Sequence, residues 1–128
     1  MPHLIIDYSA NMETRCDIAQ LCDHMRRTML ETGVFPEAGI RVRAFRANHC
    51  SVADGDNRHG YIDMQLRIGA GRNAETRAQA AQSLFDAASD FLDAAFAADP
   101  LALSLSLEEI TSETSHKRNS IRTFLGRG

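Results

Sequence analysis

No run of apolar residues in this 128-residue chain approaches the roughly 20 needed to cross a membrane. The amino end, Met-Pro-His-Leu-Ile-Ile-Asp, has neither the basic stretch nor the long apolar core of a secretory signal. Cysteine is scarce. Cys16, Cys22 and Cys50 are odd in number and lack paired spacing, which argues against a disulfide framework. Basic residues are scattered and the net charge is -3, so the clustered cationic face that nucleic acid requires is missing. The histidines (His3, His24, His49, His59 and His116) show neither H-E-x-x-H nor cysteine-paired spacing, and no metal is expected. A Ser-His-Asp arrangement with a recognisable elbow is missing too. These absences predict a cytoplasmic protein with neither nucleic acid nor membrane as partner.

What remains is an ordinary globular composition: 44% apolar and 24% charged residues, in a length that suits one domain with one core. The period of the apolar residues separates four strands from two helices. Residues 3–8 are rich in branched side chains. Ile40, Val42 and Ala44 alternate with Arg41, Arg43 and Phe45, so one face is burial-ready and two guanidinium groups share the other. Ile62, Met64, Leu66 and Ile68 alternate with polar residues, and so do Leu101, Leu103, Leu105 and Leu107 with small ones. Ile18, Leu21, Cys22, Met25 and Met29 recur at helical spacing, behind a capping box of Asp17 and Gln20 and ahead of a stop at Gly33. A second stripe runs from Ala80 through Leu84, Ala88 and Leu92 to Ala95, with Asn73 as N-cap and Pro100 beyond its end.

Strand, helix, strand is thus written twice, over about 2–47 and 60–110, in a single domain spanning 1–128. A polar stretch, 48–60, joins the halves, and a C-terminal arm, 111–128, follows. Identity between the halves is poor, so any duplication is old or weak. Right-handed crossovers make each pair of strands parallel. The result is an α+β fold, β-α-β-β-α-β, with a four-stranded sheet and both helices on one face. The uncovered face carries apolar and small residues, which predicts oligomerisation. Ile121, Phe124 and Leu125 offer an arm for a neighbouring subunit. The order fits both a ferredoxin-like arrangement and one that joins two β-α-β units, and periodicity does not choose.

Pro2 carries the most chemistry. Initiator methionine is usually removed before proline, which exposes a secondary amine. A free α-amino group titrates near neutrality, and nearby cations and desolvation both lower its pKa. Such an amine accepts and returns a proton at physiological pH, so Pro2 is the candidate general base. Arg41, on the second strand, suits a carboxylate because the guanidinium fork matches it bidentately. Arg43 and Arg67 are weaker candidates, read as surface or interface residues. Gly69-Ala70-Gly71-Arg72-Asn73-Ala74 loosely matches a dinucleotide fingerprint, but the acidic residue expected further on is missing. The helix start still favours an anion, and Arg72 stands beside it. His49 beside Cys50 does not make a catalytic pair, since neighbours on a strand point to opposite faces. Asp54-Gly55-Asp56-Asn57 reads as a turn, not a calcium loop.

With Pro2, Arg41 and Arg72 identified, the chain resembles the 5-carboxymethyl-2-hydroxymuconate Δ-isomerase family of the tautomerase superfamily. The likeness lies in Pro2-His3-Leu4-Ile5-Ile6, in Gly33-Val34-Phe35-Pro36-Glu37-Ala38-Gly39-Ile40-Arg41-Val42-Arg43, in Ala53-Asp54-Gly55 and in Leu66-Arg67-Ile68-Gly69-Ala70-Gly71-Arg72. It spans nearly the whole chain and is weakest over 11–27 and after Glu113. The resemblance implies a cofactor-independent isomerase, a tautomerase-type homotrimer with sites near subunit interfaces. Pro2 would move a proton from the 2-hydroxyl of a dienol to a distant carbon, with Arg41 and Arg72 binding a small polycarboxylate substrate. The implied setting is homoprotocatechuate (aromatic) degradation. Alternatives are a superfamily enzyme acting on another carboxylated enol, or a non-catalytic ferredoxin-like binding module.

Overall fold

Branched and apolar residues at alternate positions build the first strand, β1 (His3–Ser9), with Leu4, Ile6 and Tyr8 buried on one side of it. The structure, a computed structural model, describes residues 1–126; residues 127 and 128 of the predicted arm lie outside the described residues. The other strands are β2 (Arg41–Ala47), β3 (Gly60–Gly69) and β4 (Leu101–Ile110). Ile40, predicted as strand, instead closes a tight turn, its N–H donating to the Glu37 carbonyl at 3.1 Å.

Helix α1 (Ile18–Glu31) begins where the Asp17 carboxylate accepts from the Gln20 backbone N–H at 3.0 Å. Among the described residues the reciprocal bond of a capping box does not form. Gly33 follows the helix at φ +68, the left-handed stop that glycine adopts without a Cβ clash. Helix α2 (Ala74–Phe91) starts at Asn73, whose side chain accepts from Thr76 N–H at 2.8 Å. The second stripe, predicted as one helix, is interrupted at Leu92, and α3 (Asp93–Ala98) takes over. Leu92 N–H still reaches the Ala88 carbonyl, and Phe96 N–H the Leu92 carbonyl, so Leu92 and Ala95 stay in the core across the break. Among the described residues no helix is long and apolar enough to cross a membrane.

The strand order is β2-β1-β3-β4. β1 pairs with β2 in parallel, β3 with β4 in parallel, and β1 with β3 antiparallel. Each half therefore closes on its own adjacent pair. A ferredoxin-like sheet splits each β-α-β unit with an intervening strand, so this order excludes it. Leu4, Ile6, Met64 and Leu66 of the central strands meet Leu21, Met25 and Met29 of α1 and Leu84 and Ala88 of α2 in one core. Both helices thus cover the same face, as expected. The outer strands are only half-buried although their alternation matches the inner ones, because a sheet edge has a neighbour on one side only.

The opposite face is open, and the register places His3, Arg41 and Arg67 side by side across it. Phe45, further along β2, is 55% exposed there. Ile121 and Phe124 of the arm expected to serve a neighbouring subunit are exposed. After β4 the arm returns to its own chain, where α4 (Ile121–Leu125) packs on the turn at 37–39. The Asn119 side-chain amide donates to the Ala38 carbonyl at 2.8 Å, while Phe124 remains 89% exposed.

Candidate active site

Pro2 stands immediately before β1 and is buried. Its carbonyl accepts the Arg41 backbone N–H at 3.1 Å, which begins the parallel pairing of β1 with β2. A proline ahead of the first strand residue removes no donor from the ladder. Gly39 backs the ring: a Cβ at that position would lie 2.9 Å from the Pro2 Cδ. Only a residue without a side chain allows this approach.

Arg72 arrives from the loop between β3 and α2, after Gly71 turns the backbone at φ +120. Its Nη1 donates to the Gly69 carbonyl at 3.2 Å and its Nη2 to the Val34 carbonyl at 3.3 Å. The guanidinium carbon lies 5.4 Å from the centre of the Phe35 ring, a favourable cation–π contact. These contacts orient the fork and leave further N–H donors unused. Arg72 and Pro2 line the same cavity of about 370 Å³, which Gly39, Lys117, Asn119 and Arg122 also border.

Arg41 sits differently. Residue parity on β2 turns it toward the open face, into an adjoining cavity of about 710 Å³ with His3 and Arg67. Its Nη1 lies 3.4 Å from the Met1 sulfur. Met1 and Lys117 border both cavities. The structure thus brings Pro2 and Arg72 together and sets Arg41 next door, across Met1. Arg43 is not at either cavity. Its Nη1 is 3.0 Å from His3 Nδ1, and its guanidinium lies 5.9 Å from the Phe45 ring centre. Among the described residues the buried Nε of Arg67 has no hydrogen-bond partner.

The electrostatics follow from this gathering of cations. Burial first, then Lys117, Arg72 and Arg41, hold the Met1 amine below its ordinary pKa. Burial, then Arg43, Arg41 and Arg67, push His3 down to about 4, so its ring is neutral at neutral pH and can accept from Arg43. Elsewhere, Asp54-Gly55-Asp56 forms the expected turn, with Gly55 N–H on the Val52 carbonyl at 2.8 Å and Asp56 N–H on the Asp54 carboxylate at 3.1 Å. His49 and Cys50 lie at a third cavity, which Pro2 and the two arginines do not line. Among the described residues no three His, Cys, Asp or Glu side chains gather as a metal would need.

Sequence reasoning missed Lys117, Asn119, Arg122 and the role of Gly39. The tail did carry a signal: from 114 to 126 it holds Lys117, Arg118 and Arg122 and no acidic residue. Gly39 carried none, because its importance depends on what lies behind it.

Two β-α-β units, each closed on its own adjacent pair of strands, place the buried Pro2 and Arg72 at one cavity, in a fold that an isomerase family shares. Comparison with known proteins narrows this. The family model described as 5-carboxymethyl-2-hydroxymuconate isomerase matches residues 2–125, and the chain belongs to that family. It is 36% identical over 124 residues to the 5-carboxymethyl-2-hydroxymuconate Delta-isomerase of Escherichia coli, covering 97% of this chain and 98% of that one. A crystal structure of a 5-carboxymethyl-2-hydroxymuconate isomerase from Deinococcus radiodurans R1 matches with a TM-score of 0.89 and 30% identity, covering 97% of this chain and 93% of that one. A second crystal structure, of a 5-carboxymethyl-2-hydroxymuconate delta-isomerase, matches with a TM-score of 0.93 and 26% identity, covering 100% of this chain and 95% of that one.

Proposed function

We propose that this chain isomerises 5-carboxymethyl-2-hydroxymuconate, with the nitrogen of Pro2 as the base that carries the proton. The observation that supports it best is the shared cavity of Pro2 and Arg72, with no acidic residue among its lining side chains. Removal of Met1 converts the Pro2 amide into a secondary amine in the setting that already lowers the Met1 amine. Burial and the same three cations, Lys117, Arg72 and Arg41, favour its neutral form. Cleavage also vacates the space between the two cavities and frees the Arg41 donor from the methionine sulfur.

The substrate's name describes a muconate diacid with a carboxymethyl branch, hence three carboxylates. In the reaction the 2-hydroxyl O–H breaks and its proton passes to the Pro2 nitrogen. The electrons left on oxygen form the C2 carbonyl, the C2–C3 double bond moves to C3–C4, and the C4–C5 pair takes the proton back from Pro2 at C5. The product is the conjugated 2-oxo isomer, and the amine is restored. Arg41 and Arg72 hold carboxylates while negative charge builds on the dienolate, an electrostatic role that needs no cofactor. The open sheet face, with Phe45 exposed on it, serves as the contact surface of a homotrimer. The enzyme works in the cytoplasm on the breakdown of aromatic compounds.

Intact mass and an ultraviolet assay of ketonisation test this together. Protein lacking Met1 is expected to turn over the dienol, and protein retaining Met1 is expected to be inactive until an aminopeptidase removes it. Pro2→Ala leaves a primary amine on a looser backbone and should lose at least about 10²-fold in kcat, the usual weight of a positioned base. Equal turnover with and without Met1 would sink the assignment.

A further inference from the structure

We infer that the segment after β4 is the specificity element of this site: Lys117 and Arg122 bind the carboxylate on the substrate's branch, and Asn119 holds the segment in place. This rests on the reading of Pro2 as the reacting base. Three features carry it. First, the segment returns to its own active site. After Ile110 the chain turns at 112–114 and runs back to the 37–39 turn, where Gly39 supports the Pro2 ring. Asn119 fastens it there by donating to the Ala38 carbonyl, and within the segment its side-chain oxygen accepts from Ile121 N–H, each at 2.8 Å.

Second, among the described residues the cations it delivers have no ion-pair partner. Lys117 and Arg122 line the Pro2 cavity beside Arg72. A half-enclosed space bordered by three cations and no carboxylate attracts a polyanion, and the field is strongest where water is displaced. Lys117 also borders the Arg41 cavity, so it adjoins the sites of both arginines. After burial it is the largest influence on the terminal amine.

Third, the bookkeeping of charges points the same way. Arg41 and Arg72 come from a strand and from a loop whose guanidinium is tied to two carbonyls. The Arg72 fork, tied to two carbonyls, and the Arg41 fork, freed once Met1 is removed, suit the two carboxylates that end the muconate chain. The third carboxylate, on the flexible branch, then falls to the remaining cations of the Pro2 cavity, and those belong to the tail. A lysine ammonium has no preferred plane, which suits a branch that arrives by rotation about single bonds.

The experiment compares wild type with Lys117→Met, Arg122→Gln and Asn119→Ala. Each is assayed on the branched dienol and on the same 2-hydroxymuconate lacking the carboxymethyl group. The quantity read is the ratio of kcat/KM between the two substrates, with size and circular dichroism checking that each variant folds. The ratio is expected to fall at least tenfold in Lys117→Met and to fall in Arg122→Gln. In Asn119→Ala, a positioning change, KM for the branched substrate should rise while kcat is largely kept. If the wild type acts on the branched dienol alone, competitive inhibition by saturated tri- and dicarboxylate analogues supplies the same ratio. A ratio unchanged in Lys117→Met and Arg122→Gln would overturn the inference. Pro2→Ala measured alongside separates the two ideas: an inactive Pro2 variant with an unchanged tail ratio removes only the tail's role. An active Pro2 variant removes the base.

Discussion

Gly39→Ala is the most incisive single perturbation, because it alters the site without touching a charge or a reacting atom. Gly39 does not sit at positive φ, so alanine brings no backbone strain, and the effect is steric. The added Cβ would lie 2.9 Å from Pro2 Cδ, whereas ordinary contact begins at about 3.4 Å. Relief therefore moves the ring, or the turn that faces it, by about 0.5 Å. A misplacement of about 1 Å at a reacting centre costs about 10²-fold, so about half that distance predicts a loss near 10-fold in kcat. Overpacking costs about 1–3 kcal/mol, and reduced freedom of the unfolded chain returns about 0.4–1. A modest drop in melting temperature is thus expected beside the kinetic loss. Processed Gly39→Ala protein would be followed by ketonisation in the ultraviolet and by thermal melts. Wild-type kcat with an unchanged melt would show that the ring yields freely and that its packing against Gly39 does not position the base.

Arg72→Ala removes a fork held by two carbonyls and the Phe35 ring; the lost charge-assisted bonds, about 1.5–3 kcal/mol, predict a fall of roughly 10- to 100-fold in kcat/KM. Arg72→Lys keeps the charge but not the planar fork and should recover only part of it, whereas wild-type kcat/KM in the alanine variant would remove Arg72 from the site. His3, held down to about 4 against an unfolded value near 6.5, binds its proton more readily in the unfolded chain. Its contribution to stability is therefore present above about pH 6.5 and is lost as pH falls toward about 4. The loss is no more than about 3.4 kcal/mol and smaller after solvent screening. Denaturant melts of wild type and His3→Gln over that window should diverge, and parallel curves would show that burial and the arginines do not hold His3 down.

Much of the local structure was legible because its causes are local. The Asp17 and Asn73 caps, the Gly33 stop and the two-residue and helical periods each depend on neighbours within a turn, and they appear where expected apart from Ile40 and the break at Leu92. Pro2 and Arg72 stood out for the same local reason, one by its place beside Met1 and the other by its place between a strand and a helix, and the structure sets both at one cavity. Which strands lie inside was not legible: Val42 and Leu103 alternate like Leu4 and Met64, yet only the latter pair is fully buried. Strand order set that difference, and a β-α-β-β-α-β succession is compatible with more than one order. The separation of Arg41 from Arg72 into adjoining cavities likewise depends on residue parity across a pairing that begins at Pro2 and Arg41. The tail is the furthest case. Its place over the proline rests on Asn119 meeting Ala38, a contact across 81 positions that no periodic pattern records. Short-range forces wrote the elements, Pro2 and its neighbouring motifs into the sequence. The order of the sheet and the cations gathered around Pro2 came only from contacts between residues far apart in the chain, because chain packing alone brings them within reach.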